Sequence, residues 1–221
     1  MAHWLLKAAV IPVSVSVFFF AYFQLLNHPV FAVAIMPLTV LDRLIAFQPW
    51  ALVPYFTLWV YVFLVPALLH GRRELISYSV GAAGTAGVGL GIFFFWPTAV
   101  PRPTIDWAHY PAVQFLKEID AAGNACPSLH VAFAVFTAIG LERLLQHIGA
   151  PKGWRAINAL WCGAILYSTL ATKQHVALDL AAGVVLGALG GFCFRPETDD
   201  AANGAGASEP PRETQGRTER V

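Results

Sequence analysis

The fold is decided by a stretch close to the C-terminus, residues 175–194, which reads HVALDLAAGVVLGALGGFCF. After Asp179 this stretch carries no charge, and a helix needs about twenty apolar residues to cross a bilayer. Three glycines recur in it at four-residue intervals, and small residues at that interval let membrane helices approach closely. They are Gly183, Gly187 and Gly191. Counting back by fours from the first of them reaches Asp179 and His175, so we expect both polar residues to face the same bundle as the glycines.

Five other segments are similarly apolar, so the predicted fold class is all-α, a polytopic membrane protein built as a six-transmembrane-helix bundle. The composition agrees, because 57% of the 221 residues are hydrophobic, 12% are charged and the mean hydropathy is +0.60, whereas soluble domains are about 25% charged. Helices are favoured because each span must satisfy its own backbone hydrogen bonds in lipid. The predicted spans are Ala8–Leu26, Trp50–Leu69, Leu75–Trp96, Leu129–Leu145, Trp154–Thr172 and Val176–Phe194.

The regions outside these spans give further expectations. We expect one membrane domain over residues 1–195 and a disordered cytoplasmic tail over residues 196–221, which is rich in Gly, Pro, Glu and Arg. The stretch 27–49 is apolar but is broken by prolines, so we expect an interfacial or re-entrant loop there, with a seventh span as the alternative. Residues 111–120 are expected to form a short surface helix with proline at its first position. Gly87 and Gly91 form a second small-residue pair and predict another close helix contact.

Positive charge predicts which end of the bundle faces the cytoplasm. With six spans and both termini inside, ten lysines and arginines lie on the cytoplasmic side and four lie on the other side. Those four are Arg43, Arg102, Lys117 and Lys173. The net charge of +1 gives no case for a nucleic-acid partner. The loop of residues 97–127 and the turn at Lys173 are therefore expected to share the non-cytoplasmic face of a multi-pass protein in the cell or inner membrane.

Two short stretches at that face carry the residue types of a catalytic site: CPSLH at residues 126–130 and STLATKQHVALD at residues 168–179. Ionisable residues at membrane helix ends are costly unless they have a function. His175 and Asp179 are four residues apart, so the carboxylate can accept a hydrogen bond from the N–H of one imidazole nitrogen. The other imidazole nitrogen then carries no proton and can act as a nucleophile. His130 can supply the proton that a leaving oxygen requires. The active site is thus expected at the outer face.

Groups suited to a phosphate lie beside the two histidines. Ser128 and the free backbone N–H groups of a helix start suit a phosphate oxygen. Arg102 and Lys173 bring positive charge, which the developing charge of phosphoryl transfer requires. Simpler alternatives stay open, since Arg102 can anchor the loop to lipid head groups and Lys173 can snorkel to the interface. A metal site formed by the two histidines and Asp179 is another alternative.

These residues resemble the type 2 phosphatidic acid phosphatase superfamily, the membrane lipid phosphatases related to vanadium haloperoxidases. That family has the motifs Lys-x6-Arg-Pro, Pro-Ser-Gly-His and Ser-Arg-x5-His-x3-Asp. Here Arg102-Pro103 matches the end of the first motif, residues 127–130 match the second with leucine for glycine, and residues 168–179 match the third with threonine for arginine. The resemblance extends from about Trp96 to Gly187 and includes the six-helix layout.

Two cations of the family pattern are missing, because Phe95 and Thr169 stand at their positions. Several variants, including Pro-Ser-Leu-His at residues 127–130 and Thr-x-Gln-His-x3-Asp at residues 172–179, are similar to the inositol phosphorylceramide synthase branch. Members of that branch move a phosphodiester head group between lipids. A phosphodiester carries less charge than a monoester, so fewer cations would suit it.

The resemblance implies a role for each candidate residue. His175 would become phosphohistidine, Asp179 would orient it, and His130 would act as the general acid and base. Ser128, Arg102 and Lys173 would hold the phosphoryl oxygens, and neither a metal nor a cofactor would be needed. The function expected is a membrane lipid phosphate phosphatase, with a head-group phosphotransferase as the alternative and a non-catalytic membrane protein as a remote one. The expected partners are a lipid phosphate or phospholipid substrate and the bilayer.

Overall fold

The computed structural model of the chain describes residues 4–114 and 123–193, and these residues are mostly helical. Each of the six predicted spans corresponds to a long helix. The helices are α1 (Trp4–Asn27), α2 (Val40–Leu44), α3 (Leu52–Leu68), α4 (Arg72–Phe95), α5 (Leu129–His147), α6 (Lys152–Ala171) and α7 (Ala177–Cys193). Two short 3-10 helices cover Pro49–Ala51 and Trp107–His109, and the strands β1 (Ala34–Ile35) and β2 (Thr98–Ala99) have two residues each.

Three of the described helices are long and apolar enough to cross a membrane: Pro49–Leu68, Arg72–Phe95 and Leu129–His147. The segments Ile11–Asn27 and Ala177–Cys193 are apolar but shorter. Helix α6 is less apolar because Lys152, Arg155 and Asn158 lie in its first two turns. The all-α class is confirmed, and length and composition support three membrane-crossing helices together with shorter apolar ones.

Helix α5 is the centre of the bundle and packs against α3, α4, α6 and α7. Its contact with α7 is a backbone contact, because the glycine stripe of α7 faces it. A Cβ atom on Gly183 would lie 2.5 Å from the carbonyl oxygen of Ser128, and one on Gly187 would lie closer still to that of Ala132. The predicted inward packing of this stripe is confirmed, and only a residue without a side chain permits so close an approach.

The second predicted glycine contact is wrong. Gly87 and Gly91 of α4 have no neighbouring atom within 4 Å of an added Cβ among the described residues. Gly89 makes the close contact instead, because a Cβ there would lie 2.5 Å from Leu129 Cδ2. The small-residue spacing alone did not show which side of α4 faces the bundle.

The stretch 27–49 contains no long helix, so the loop interpretation is confirmed over the seventh span. Strand β1 in this stretch pairs in parallel with β2, with Ala34 opposite Thr98 and Ile35 opposite Ala99. Residues 111–114 are helical, as expected for the start of the predicted surface helix. The rest of that helix and the tail 196–221 lie outside the described residues.

Candidate active site

Helices α3, α5 and α7 begin at the same end of the bundle, and the candidate residues collect there. Ser128 precedes α5 and caps it, because its Oγ accepts the N–H of Val131 at 3.2 Å. The backbone N–H of Ser128 donates to the carbonyl oxygen of Asp179 at 3.0 Å. This bond joins the starts of α5 and α7, which carry the two parts of the predicted site.

The two histidines are in direct contact. His175 Nε2 lies 3.3 Å from His130 Nδ1, and His175 Nδ1 lies 3.4 Å from Asp179 Oδ2. Both oxygens of Asp179 also accept the N–H of Val176 at 3.1 Å. The exposed fraction is 7% for His175 and 0% for Asp179, so water screens this pair of groups weakly.

This arrangement does not favour a metal site. His130 lies at Nε2 of the His175 ring and Asp179 lies at Nδ1, so the three side chains do not converge on one point. In the part of the chain that the structure describes, no group of three His, Cys, Asp or Glu residues is placed to hold a metal ion.

A fourth member of the cluster, Tyr55 of α3, was not predicted from the sequence. Its hydroxyl lies 3.0 Å from His130 Nε2, and its ring centroid lies 5.2 Å from that of the histidine. The side chain is 1% exposed. In the sequence Tyr55 is one of several aromatic residues in an apolar span, and nothing in the pattern links it to a histidine 75 positions away.

Lys173 occupies the turn before His175, and its backbone is in the left-handed region with φ of 56°. Its ammonium group donates to the carbonyl oxygen of Asp42 at 2.9 Å and also to that of Ile45. Burial lowers the pKa of Lys173, and the Asp42 carboxylate opposes that shift. The phosphate-binding role of Lys173 stays a prediction, and in this structure its amine binds the C-terminal end of α2.

Asp42 makes a second contact that was not predicted from the sequence, where only a pairing with Arg43 or a place at the lipid entrance was considered for it. Its Oδ1 accepts the N–H of Ala177, the first residue of α7, at 2.8 Å. Its Oδ2 accepts the N–H and the hydroxyl of Thr39 at 2.7 and 2.8 Å. Asp42 thus caps α7 from a distant segment, which fixes the helix start that carries His175.

The remaining predicted phosphate ligand, Arg102, is exposed. Two residues before it, Val100 packs in one buried cluster with Cys126 and Val176, which places the arginine at the same end of the bundle. No hydrogen bond or ion pair of Arg102 with another described residue is seen. The buried amide nitrogen of Gln174, next to His175, has no hydrogen-bond partner within the described ranges.

A groove with a volume of about 710 Å³ ends at the histidines. Its walls come from α1, α3, α4 and α5 and are almost entirely apolar. Its residues Val13 and Val17, both 63% exposed, lie on the outer surface of the bundle, so the groove opens sideways onto an apolar perimeter. At its inner end it meets Tyr55, His130 and His175.

An apolar helical bundle with a histidine pair at the end of an apolar groove fits an integral membrane protein. Residues 74–197 match the PAP2 superfamily, and the chain belongs to that superfamily. Its members are phosphoesterases and phosphotransferases, which supports an enzyme of that type and, with the apolar helices, fits an integral membrane protein. The comparisons with curated proteins and with solved structures find no match. The matched range contains all six predicted site residues, whereas Tyr55 and Asp42 precede it.

Proposed function

We propose that this chain is a lipid phosphate phosphatase that works in the membrane through a phosphohistidine at His175. Membership of the superfamily supports the phosphoryl chemistry. The observation that carries the lipid part is the groove, because a water-soluble phosphate has no use for an apolar channel that opens on the outer surface of the bundle. A lipid can place its hydrocarbon chain there and bring its phosphate to the histidine pair.

In the first step, His175 Nε2 attacks phosphorus, the N–P bond forms and the bond from phosphorus to the lipid oxygen breaks. Asp179 beside Nδ1 favours the proton on that nitrogen and stabilises the positive charge that the ring acquires. His130 gives a proton to the departing oxygen, so the lipid leaves as a neutral alcohol.

In the second step, water attacks phosphorus and His130 takes a proton from it. The N–P bond breaks, inorganic phosphate leaves and both histidines return to their starting states. The two steps together hydrolyse one phosphate ester with one water. His130 serves first as acid and then as base, which requires no further proton donor.

The phosphoryl oxygens need donors during both steps. Ser128 uses its oxygen to cap α5 and its side chain is 0% exposed, so its hydroxyl hydrogen would reach a phosphoryl oxygen only after the site opens around the substrate. Arg102 supplies charge from the exposed loop. Lys173 would join them only by exchanging its carbonyl contacts for phosphate.

The test is a product assay on the purified protein in detergent. A panel of lipid monophosphates, lipid diphosphates and phospholipids is offered with and without a lipid alcohol acceptor, and free phosphate and lipid products are followed together. His175→Ala is compared with His147→Ala, a matched change at the exposed far end of α5.

Phosphate release that only His175→Ala abolishes is the expected result. Formation of a new phospholipid without phosphate release would replace the phosphatase by a head-group phosphotransferase. Turnover that survives in His175→Ala would rule out the phosphohistidine.

A further inference from the structure

The contacts of the cluster give its protons one consistent direction, in which the 3.4 Å contact of His175 with Asp179 is an ion-pair contact and the other two contacts are hydrogen bonds. Asp179 near His175 Nδ1 favours the proton on that nitrogen and leaves Nε2 bare. Two bare nitrogens would repel at 3.3 Å, so His130 presents Nδ1–H to His175 Nε2. The Nε2 of a neutral His130 is then an acceptor, and the hydroxyl of Tyr55 donates to it at 3.0 Å. The ring of His130 is therefore held at both nitrogens.

We propose that Tyr55 is a positioning residue that makes Nδ1 of His130 the nitrogen that exchanges protons during the reaction. This inference rests on the proposed function, in which His130 is the acid and base. Tyr55 lines the groove and lies in α3, ahead of the range matched to the superfamily. It acts on the reaction through His130.

The proton balance of the first step explains why Nε2 of His130 needs a hydrogen-bond partner. As the acid, His130 is an imidazolium with a proton on each nitrogen, and the Nε2–H donates to the oxygen of Tyr55. When Nδ1–H passes to the departing lipid oxygen, the ring becomes neutral with its remaining proton on Nε2. The bare Nδ1 then faces the phosphohistidine and can take the proton of the incoming water.

A hydroxyl suits this position because it can donate and accept. It donates to Nε2 in the resting neutral ring and accepts from Nε2–H once that nitrogen is protonated. Without the hydroxyl, the Nε2–H of this half-buried ring loses the hydrogen bond that Tyr55 provides, which disfavours the imidazolium and the tautomer that follows it. The loss then affects proton transfer to the leaving group more than attack by His175.

The experiment compares two phosphate esters that differ in how much their leaving group needs a proton. One is a long-chain alkyl phosphate, whose alkoxide leaves poorly. The other is an aryl phosphate whose nitrophenol carries a similar chain and leaves without a proton. Release of the alcohol and of the phenol is measured, so the readout is the same whether water or a lipid alcohol is the acceptor.

The variant is Tyr55→Phe, and the matched control is Tyr61→Phe in the same helix. Tyr61 is 3% exposed and donates to Asn158 at 2.6 Å, so the control loses a buried hydrogen bond away from the histidines. We expect Tyr55→Phe to slow the alkyl ester by about ten- to a hundredfold and the aryl ester by less than about threefold. Tyr61→Phe should change both rates by the same factor.

The possible results distinguish a failure of the positioning role of Tyr55 from a failure of the proposed function. The ratio of the two rates does not depend on the folded fraction, and Tyr55→Leu serves as a second variant without the hydroxyl. Equal slowing of both esters in the Tyr55 variants, or a ratio like that of Tyr61→Phe, overturns the role of Tyr55 and leaves the phosphatase standing. A wild-type protein that cleaves neither ester, or a His175→Ala protein that cleaves both, overturns the proposed function itself.

Discussion

His130 Nδ1 and His175 Nε2 lie 3.3 Å apart, although the two residues are 45 positions apart in the chain. In-line displacement places the attacking nitrogen and the departing oxygen on opposite sides of phosphorus. The acid that serves the departing oxygen must then be farther from Nε2 than 3.3 Å. Substrate binding in the proposed reaction therefore separates the histidines, and the resting contact is a closed state of the site.

The first prediction concerns pH. The proposed reaction needs His175 unprotonated at Nε2 and His130 protonated, so the rate with an alkyl phosphate should pass through a maximum and fall on both sides. With an aryl phosphate the alkaline decline should weaken, because its leaving group needs no acid. A profile that stays flat from about pH 5 to 8 would contradict the histidine pair, since an ordinary histidine titrates in that range.

The second prediction concerns Asp179. The change Asp179→Asn removes the negative charge beside His175 but keeps an oxygen that can accept the N–H of Val176. We expect turnover to fall at least about a hundredfold while the apparent melting temperature changes little, by analogy with triads whose orienting carboxylate is replaced. The control is Glu142→Gln, which pairs with Arg155 away from the histidines and should keep its activity. A large loss of stability in Asp179→Asn would instead assign the carboxylate to capping α7.

The third prediction separates two roles of Lys173. Its amine holds the carbonyl groups of α2, so Lys173→Met should lower stability by about 1–2 kcal/mol, the scale of hydrogen bonds to a charged group. The Michaelis constant for lipid phosphate should change little. Lys152→Met, an exposed lysine at the start of α6, provides the baseline. A Michaelis constant that rises tenfold without loss of stability would restore the phosphate-binding role.

The fourth prediction compares two glycines. A side chain on Gly187 would meet the backbone of α5, so Gly187→Ala should destabilise the fold by about 1–3 kcal/mol or prevent its assembly. Gly87→Ala meets no described atom within 4 Å and should be neutral or slightly stabilising. Thermal unfolding in detergent checks both. Equal tolerance at the two positions would mean that α7 does not approach α5 this closely.

The fifth prediction tests the groove. Ala86 lines it, so Ala86→Trp should fill part of the space and slow cleavage of long-chain phosphates severalfold. Cleavage of a short-chain phosphate should be nearly unchanged, because its phosphate reaches the histidines without occupying the groove. Val88→Trp introduces the same side chain on α4 at a position 53% exposed and outside the groove wall. If each variant changes the cleavage rates of long-chain and short-chain phosphates by the same factor, the hydrocarbon chain of the substrate lies outside this groove.

Much of the fold follows from the sequence, because hydrophobic runs of span length and a four-residue glycine period are local signals. The same is true of His175 and Asp179, which a single helix turn brings together. Their contact with His130 was predicted only through the topology, which placed both motifs at one end of the bundle. Among the described residues, three helices have both the length and the composition of a span: Ile11–Asn27 and Ala177–Cys193 are too short, and α6 carries polar residues such as Arg155 and Asn158.

The rest of the site depends on contacts between distant segments. Tyr55 and Asp42 are ordinary residues in their own surroundings, and only tertiary packing brings one to His130 and the other to the start of α7. The side chain of Lys173 could have pointed toward a phosphate or toward α2. The left-handed backbone at this residue and the open carbonyl groups of α2 decide its direction, and neither is visible in a residue pattern.

The glycine contact between α5 and α7 fixes the distance between the two segments that carry the histidines. Gly183 packs against the carbonyl group of Ser128, and the N–H of Ser128 donates to the carbonyl oxygen of Asp179. The spacing between the two segments is therefore set by backbone contacts. The groove, in contrast, is built from side chains, most of them from α1, α3 and α4. Changes in the groove wall away from Tyr55 and the histidines can therefore alter which hydrocarbon chain fits without altering the distance between the two histidines.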